Sequence, residues 1–478
     1  MYRRFLQHPY FTIISLTLLV RIVFLFWFWS GYYVRPATTL SQIYFMQGYG
    51  IVAGYGYIRP ISDPAKAQFN AMYHRVSQKD TRRSPETFEI KSNNGFVPEI
   101  SHPPGMPILV ASILYIFDTE PHIIIQLLGI FFDLIAVAMV YWISRASFNE
   151  KVAFITGLLY AIFPPLARSS ISMDPDGLIT VFIIASFFCL LKSIYYNNWF
   201  MSIWLPLSGI ALGLGGYLRP DFIFMPIFIV FGFWAYTRRF LRSLCAMALV
   251  QIIVLLTLFP WAYRNYTLTG RWIFSSTMVG AVLITGLGEF ANPWGFGQLD
   301  EDREQQAAAQ GLSSAWTSEA DLYFRNIFFK SITNKPDAYL ASIIKRLPFI
   351  IATPYEFGFS NPWKVKKFYE LRQEGIDLYQ TMLSYPLYIA SVYFDYILMS
   401  LFNIICFFSL MVIFLKKSNN KRLIFFIMCP HFYNIISHIL THTEARFLLP
   451  TMYCLIIALA YALVNGFHKN NELTVDSH

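Results

Sequence analysis

Apolar runs of roughly bilayer length recur along this chain, and the polar stretches between them alternate in character. One kind is a short basic turn: Arg145 with Lys151, then Lys192, then Arg238, Arg239 and Arg242, then Lys416, Lys417, Lys421 and Arg422. The other kind holds nearly all the acids, the histidines and the Pro/Gly motifs. Basic residues collect on the inner side of a membrane. The pattern therefore predicts an all-α polytopic membrane protein with one chemically equipped, outer face.

Composition agrees. Hydrophobic residues make up 56% of the chain and charged residues 14%, with a mean hydropathy of +0.46, which excludes an ordinary soluble core. The net charge of +9 resides in the turns rather than on a continuous face, so it reports topology and gives no reason to expect a nucleic acid partner. All five cysteines (Cys189, Cys245, Cys406, Cys429 and Cys454) fall inside apolar runs. The large loops are left with no thiols for a disulfide framework or a zinc site.

Spans are predicted near 10–31, 122–144, 151–167, 177–195, 202–218, 221–236, 243–261, 392–415, 422–440 and 446–466. The first follows Arg3 and Arg4, lacks a small-residue cleavage site and is read as a retained span. Three parts result: an N-terminal module, 1–261, whose first outer loop is 32–120; an outer loop with amphipathic interfacial helices, 262–385; and C-terminal spans, 386–478. Met106–Phe117 is too short to cross and follows Pro103-Pro104-Gly105, which suits an interfacial or re-entrant helix. A full span there would put Asp174 on the opposite side from the first loop. Stretches 60–98 and 292–312 read as loops, the second with a short Gln/Ala-rich helix, and 313–350, where aromatic, apolar and basic residues alternate as far as Lys345 and Arg346, as one or two amphipathic helices lying on the membrane.

Four motifs stand at outer boundaries. Glu99-Ile100-Ser101-His102-Pro103-Pro104-Gly105 leaves His102 as a proton or phosphate partner, or is simply a Pro-rich start to the next helix. Phe163-Pro164-Pro165 and Asp174-Pro175-Asp176-Gly177 put two carboxylates at the bilayer lip. They could act as a general base, as electrostatic partners, as ligands to a divalent cation, or merely as a helix N-cap. Gly213 to Asp221 combines small residues for close helix packing with Arg219, either a fork for phosphate or an interfacial arginine paired with Asp221. Finally, His438, His442, Glu444 and Arg446 crowd one lip, although Glu444 and Arg446 could be no more than a local pair. Asp133 and Asp395 lie inside spans, where a carboxylate is costly. His431 and Asn434 are expected to bond between helices, and the Asn265-Tyr266-Thr267 sequon follows its span too closely to be a credible glycosylation site.

In this order and spacing the motifs, together with Gly54-Tyr55-Gly56-Tyr57, Pro260-Trp261, Arg264-Asn265-Tyr266 and Arg446-Phe447-Leu448-Leu449-Pro450, resemble the GT-C superfamily of glycosyltransferases. The resemblance is to bacterial relatives of the dolichyl-phosphate-mannose protein mannosyltransferases and of the lipid A aminoarabinose transferase. It implies a helical membrane domain with interfacial helices in its outer loops, a polyprenyl-monophosphate sugar donor, and a lipid, glycan or protein acceptor attacking with inversion. It also implies a bacterial inner-membrane location with the working face in the periplasm. Asp174 matches the family's second-loop carboxylate; His102, Asp176, Arg219 and Asp221, with His442, Glu444 and Arg446, become substrate-binding candidates. The family's usual first-loop acid would fall near Thr39-Leu40-Ser41-Gln42, which carries no carboxylate. Asp63 or Glu99 could replace it, Asp174 could take the role, or the activity could be lost. A polymerase or ligase of lipid-linked glycans and a flippase of lipid-linked saccharide are the competing functions, though no duplicated halves support the latter.

Overall fold

The computed structural model describes residues 9–28, 39–52, 54–60, 64–65, 67, 95–117, 121–194, 202–352, 386–415 and 420–465. Helix α1 (Pro9–Phe28) is followed by α2 (Thr39–Val52), a two-stranded antiparallel ribbon of β1 (Ile58–Pro60) and β2 (Phe96–Pro98), and α3 (Gly105–Phe117). A run of apolar helices comes next: α4 (Pro121–Ser147), α5 (Glu150–Ile162), α6 (Pro164–Ile171), α7 (Pro175–Ile194), α8 (Trp204–Gly216), α9 (Met225–Thr237) and α10 (Phe240–Thr269). Helices α11 (Val279–Gly288), α12 (Asp300–Ala309), α13 (Ser318–Asn334) and α14 (Pro336–Ala352) form the outer region, and α15 (Pro386–Leu415), α16 (Lys421–Leu440) and α17 (Met452–Asn465) complete the bundle. Proline opens α4, α6, α7, α14 and α15, a position whose N–H has no helical acceptor in any case.

The described residues of all ten expected spans are mostly helical. Among the described residues seven helices are long and apolar enough to cross a membrane, or eight if α5 and α6, bent by 58° at their junction, count as one. The expected continuous span 151–167 is thus broken at Phe163. Helices α8 and α9 have only 13 residues each, about 20 Å at 1.5 Å per residue, and fall short of a full crossing by themselves. They still run from one end of the bundle to the other and back, because α8 packs along α7 and α10 and α9 packs along α16. A Cβ on Gly213 would collide with Thr257 of α10, so the small residues of α8 do serve close packing. Helix α10 continues unbroken past residue 261 to Thr269.

The break between α5 and α6 shows how a buried charge is put to structural use. Pro164 and Pro165 cannot donate to the carbonyls of Tyr160 and Ala161, four residues earlier. Arg21 of α1, fully buried, donates Nη1 to Ala161 O and sits 3.4 Å by Nη2 from Tyr160 O. Its Nε pairs with Asp133 of α4 at 2.7 Å, and the Tyr160 hydroxyl donates to the other Asp133 oxygen at 2.7 Å. Asp133 is therefore a partner in a helix clamp rather than a functional carboxylate in the membrane. Asp395 is also buried. His431 and Asn434 bond as expected, both to Thr451, with Asn434 also donating to Phe447 O.

Beyond the bundle, α11 to α14 enclose a second core of Ala281, Ile284, Leu287, Ala307, Ala315, Phe324 and Phe328. The stretch from α11 to α14 thus contains a small folded unit, and α12 is the predicted Gln/Ala-rich helix. At the far end of the bundle lie the basic turns: Arg145 pairs with Glu150 at 2.6 Å, and Lys192 sits over the rings of Trp142, Phe188 and Trp204.

Candidate functional site

The other end gathers the motifs into one constellation. Gly105 N–H donates to Tyr217 O at 2.8 Å, joining the Pro-Pro-Gly stretch to the turn before Arg219; a Cβ at Gly105 would strike that same carbonyl. Ser41 of α2 donates to Asp174 Oδ1 at 2.6 Å. This contact places the first loop and Asp174 at the same end, which removes the reading of Met106–Phe117 as a full span. It also puts a hydroxyl of the 39–42 stretch, where the resemblance expects an acid, directly onto the second-loop carboxylate.

Three groups of side chains meet here. The first surrounds Glu99, which is 1% exposed. It accepts from the backbone of Ser101 (2.5 Å) and His102 (3.2 Å), from the Ser101 hydroxyl, and from Gln47 Nε2 (2.8 Å). Burial pushes the Glu99 carboxyl up, but the His102 bond and charge, Arg59 and Ser101 outweigh it and hold the group at about 2. His102 Nδ1 lies 3.0 Å from Ser101 Oγ, and its ring meets Tyr44 edge-on at 5.7 Å. Tyr57, held between Gly56 and β1, donates to the carbonyls of His102 and Pro103, while Arg264 at the end of α10 donates to Glu99 O and Tyr57 O.

The second group is Asp174, Asp176, Arg219 and Asp221. Arg219 is neither an interfacial side chain nor a free fork: it is 9% exposed, with Nη1 on Asp176 and Nη2 on Asp221. Burial disfavours its charge, yet the two carboxylates prevail and raise its pKa; the same pairing lowers that of Asp221. Asp176 accepts from the Arg219 guanidinium and Asp174 from the Ser41 hydroxyl. Among the described residues no cluster of three or more His, Cys, Asp or Glu side chains could hold a metal.

The third group includes two residues that sequence reasoning missed. Glu289, just after α11, bonds His442 Nδ1, the Thr443 backbone (2.6 Å) and hydroxyl (3.1 Å), and Arg346 Nε (2.6 Å). His442 Nε2 lies 3.2 Å from Glu444, and Arg446 Nε pairs with Glu444 at 2.5 Å. Arg346, placed by the sequence in an amphipathic helix lying on the membrane, is fully buried and also donates to Ile439 O and Gly286 O. Burial works against the His442 charge, but Glu289 and Glu444 overcome it and raise the imidazole to about 9; the same contacts and Arg446 hold Glu444 at about 2.

Phe447 joins the second group to the third. Arg219 lies 4.7 Å and Arg446 5.5 Å from its ring centroid, and His438 stacks on it at 4.6 Å. Beside this ring two carboxylates, Asp176 and Asp221, share the Arg219 guanidinium, with Asp174 held by Ser41; through Arg446 the ring also meets the group in which Arg346, His442 and Arg446 face two carboxylates, Glu289 and Glu444. The site can therefore offer an acidic pole and a cationic pole linked by this ring. Asp63 lies outside the described residues. Asn265 is fully buried and donates to Ile273 O, so its sequon is not presented for glycosylation.

Helical architecture and site together define a polytopic helical membrane protein whose acids and histidines gather at one end of the bundle. Residues 101–263, about a third of the chain, match the family profile of dolichyl-phosphate-mannose-protein mannosyltransferases. The structure is similar to the archaeal oligosaccharyltransferase AglB from Archaeoglobus fulgidus, solved with an inhibitory peptide and a dolichol-phosphate. Identity is 13% and the TM-score 0.51; the similarity covers 98% of this chain and 53% of AglB, so the chain spans about half the length of that protein. No curated protein matches at a significant level.

Proposed function

We propose that the protein transfers a sugar from a polyprenyl-monophosphate carrier to an acceptor hydroxyl, with inversion, at the acid- and histidine-rich end of the bundle. That end would face the periplasm of a bacterium. The observation that carries this reading is the Ser41–Asp174 hydrogen bond. It supports the view that the missing first-loop acid is compensated by Asp174, with Ser41 orienting it. Glu99, held at about 2 by its four donors and neighbouring cations, is a poor base; its place is to fix His102.

In the reaction, the acceptor oxygen attacks the anomeric carbon from the face opposite the phosphate. The new C–O bond forms as the bond to the phosphate oxygen breaks, and Asp174 takes the hydroxyl proton. Polyprenyl phosphate leaves with the bonding electron pair. Its charge is steadied by His102 and by the cationic pole of His442 and Arg446, side chains already positioned by Glu99, Glu289 and Glu444. Arg219, shared between two carboxylates, shapes the acidic pole and is less suited to phosphate than the sequence suggested.

The donor is supported by the name of the matched family and by the dolichol-phosphate in the AglB structure. The test is to incubate the purified protein with polyprenyl-monophosphate and polyprenyl-diphosphate sugars and an envelope extract, and to identify the released lipid. Polyprenyl monophosphate is expected. Diphosphate release would assign the protein to the polymerases or ligases, and binding of all donors without turnover would favour transport or a silent relative.

A further inference from the structure

A cavity of about 200 Å³ opens between the β-ribbon, the end of α10 and the turn leading into α13. Its walls include Arg59, Ile100, Thr269, Trp316, Thr317 and Glu319. The Arg59 guanidinium lies 5.8 Å from the Trp316 ring centroid and donates Nη1 to Ser101 Oγ at 3.0 Å. Ser101 in turn donates to Glu99, beside His102. The cavity is thus one residue removed from the first group of the site. It is held there by structure rather than by chance: Thr277 N–H donates to Ile100 O, its hydroxyl to Trp316 O, and Arg271 to Ser318 O.

We infer that this cavity is the acceptor subsite and takes one ring of a neutral saccharide, an inference that rests on the transferase reading above. Three features select that class. The volume lies below the about 300 Å³ at which drug-sized pockets begin, which suits a single ring rather than an extended chain. Trp316, partly exposed, offers an aromatic face against which the C–H side of a pyranose can lie, while the hydroxyls of such a ring need both donors and acceptors at the rim. Arg59 supplies donors, and Glu319, with its carboxyl held low by bonds from its own N–H and from Ser318, supplies acceptors. One cation and one carboxylate at the same rim favour a polyol over a phosphate or a cationic peptide. Through Arg59 and Ser101 this rim is tied by hydrogen bonds to Glu99 in the first group of the site.

The test separates donor chemistry from acceptor binding. Purified wild type and Trp316→Ala and Trp316→Phe variants are given a polyprenyl-monophosphate sugar, with a panel of methyl hexosides and methyl N-acetylhexosaminides or with serine-containing peptides as acceptors. Both lipid release into water and transfer are followed. The expected result is that a methyl glycoside is used and that Trp316→Ala raises its KM about ten-fold or more. Lipid release without acceptor is expected to stay at the wild-type rate, and Trp316→Phe to recover most of the loss. Transfer to glycosides with unchanged KM in Trp316→Ala, or transfer to the peptides alone, would overturn the subsite. Equal loss of acceptor-free release and transfer in Trp316→Ala would also overturn it, by marking Trp316 as structural. No lipid release by wild type from any donor would instead refute the transferase reading itself.

Discussion

His442 is the residue whose chemistry depends most on its neighbours. With Glu289 on one ring nitrogen and Glu444 on the other, its pKa rises from 6.5 to about 9. Because the folded value lies above the unfolded one, the stabilisation is fully present below pH 6.5 and disappears as pH rises through about 9. Thermal unfolding of the wild type in detergent is expected to fall in temperature between pH 7 and 10, and the His442→Gln variant to lose that component of the fall. Parallel curves for the two proteins would show that His442 does not carry the effect. Glu444 behaves oppositely: its contribution is present above pH 4.5 and lost as pH drops toward about 2. Ser41 makes a second residue-scale test. Replacing Asp174 with Asn and Ser41 with Asp moves the carboxylate across a 2.6 Å contact, to the place where the GT-C resemblance expects it. The double variant is expected to recover part of the turnover lost in Asp174→Asn; an equally inactive, folded double variant would count against the compensation.

Among the elements, the α5–α6 break carries the clearest energetic consequence. Arg21 satisfies a carbonyl that Pro165 leaves unpaired and neutralises Asp133 in the same stroke. Arg21→Ala leaves both uncompensated and is expected to cost about 3–5 kcal/mol, the range for breaking a buried ion pair. Thermal unfolding checks this, and Arg21→Ala with Asp133→Leu should recover a good part, since no buried charge then remains. A loss below about 1 kcal/mol would mean that water or lipid replaces the guanidinium. The positions of the helices were legible in the sequence because period, Pro starts and basic turns all report locally. The clamp was not, because Arg21 and Asp133 are 112 residues apart and each alone looks like a charge in the wrong place. Glu289 was missed for a related reason. It closes an apolar run as Asp174 opens one, a signal that was present, but its importance comes from Arg346 and His442, which only the folded outer region brings to it.

At the scale of the whole molecule, the alternation of charge becomes two ends. One holds Arg145, Lys192 and Arg238; the other holds every described site candidate from Glu99 to Arg446. If the second is the periplasmic end, a membrane-impermeant thiol reagent applied to intact cells should label Gln310→Cys in the outer region. It should reach Arg239→Cys only after permeabilisation, in a background lacking the native cysteines. The reverse pattern would invert the orientation. That the motifs belonged together was readable from their order along the chain; that Phe447 links an acidic group to a cationic one was not, since it depends on side chains from α7 and α14, from the residue after α11, and from the chain around two 3₁₀ turns, Pro220–Phe222 and Ala445–Thr451.

The central claim is that this constellation transfers a sugar from a lipid monophosphate with Asp174 as the base. The measurement that tests it most directly is the rate of polyprenyl monophosphate release by wild type and by Asp174→Asn, each purified, folded and supplied with the same donor and acceptor. The expected result is a loss of about 10²–10⁴-fold, the usual contribution of a positioned general base, with donor binding retained. Turnover at the wild-type rate in Asp174→Asn would contradict the assignment.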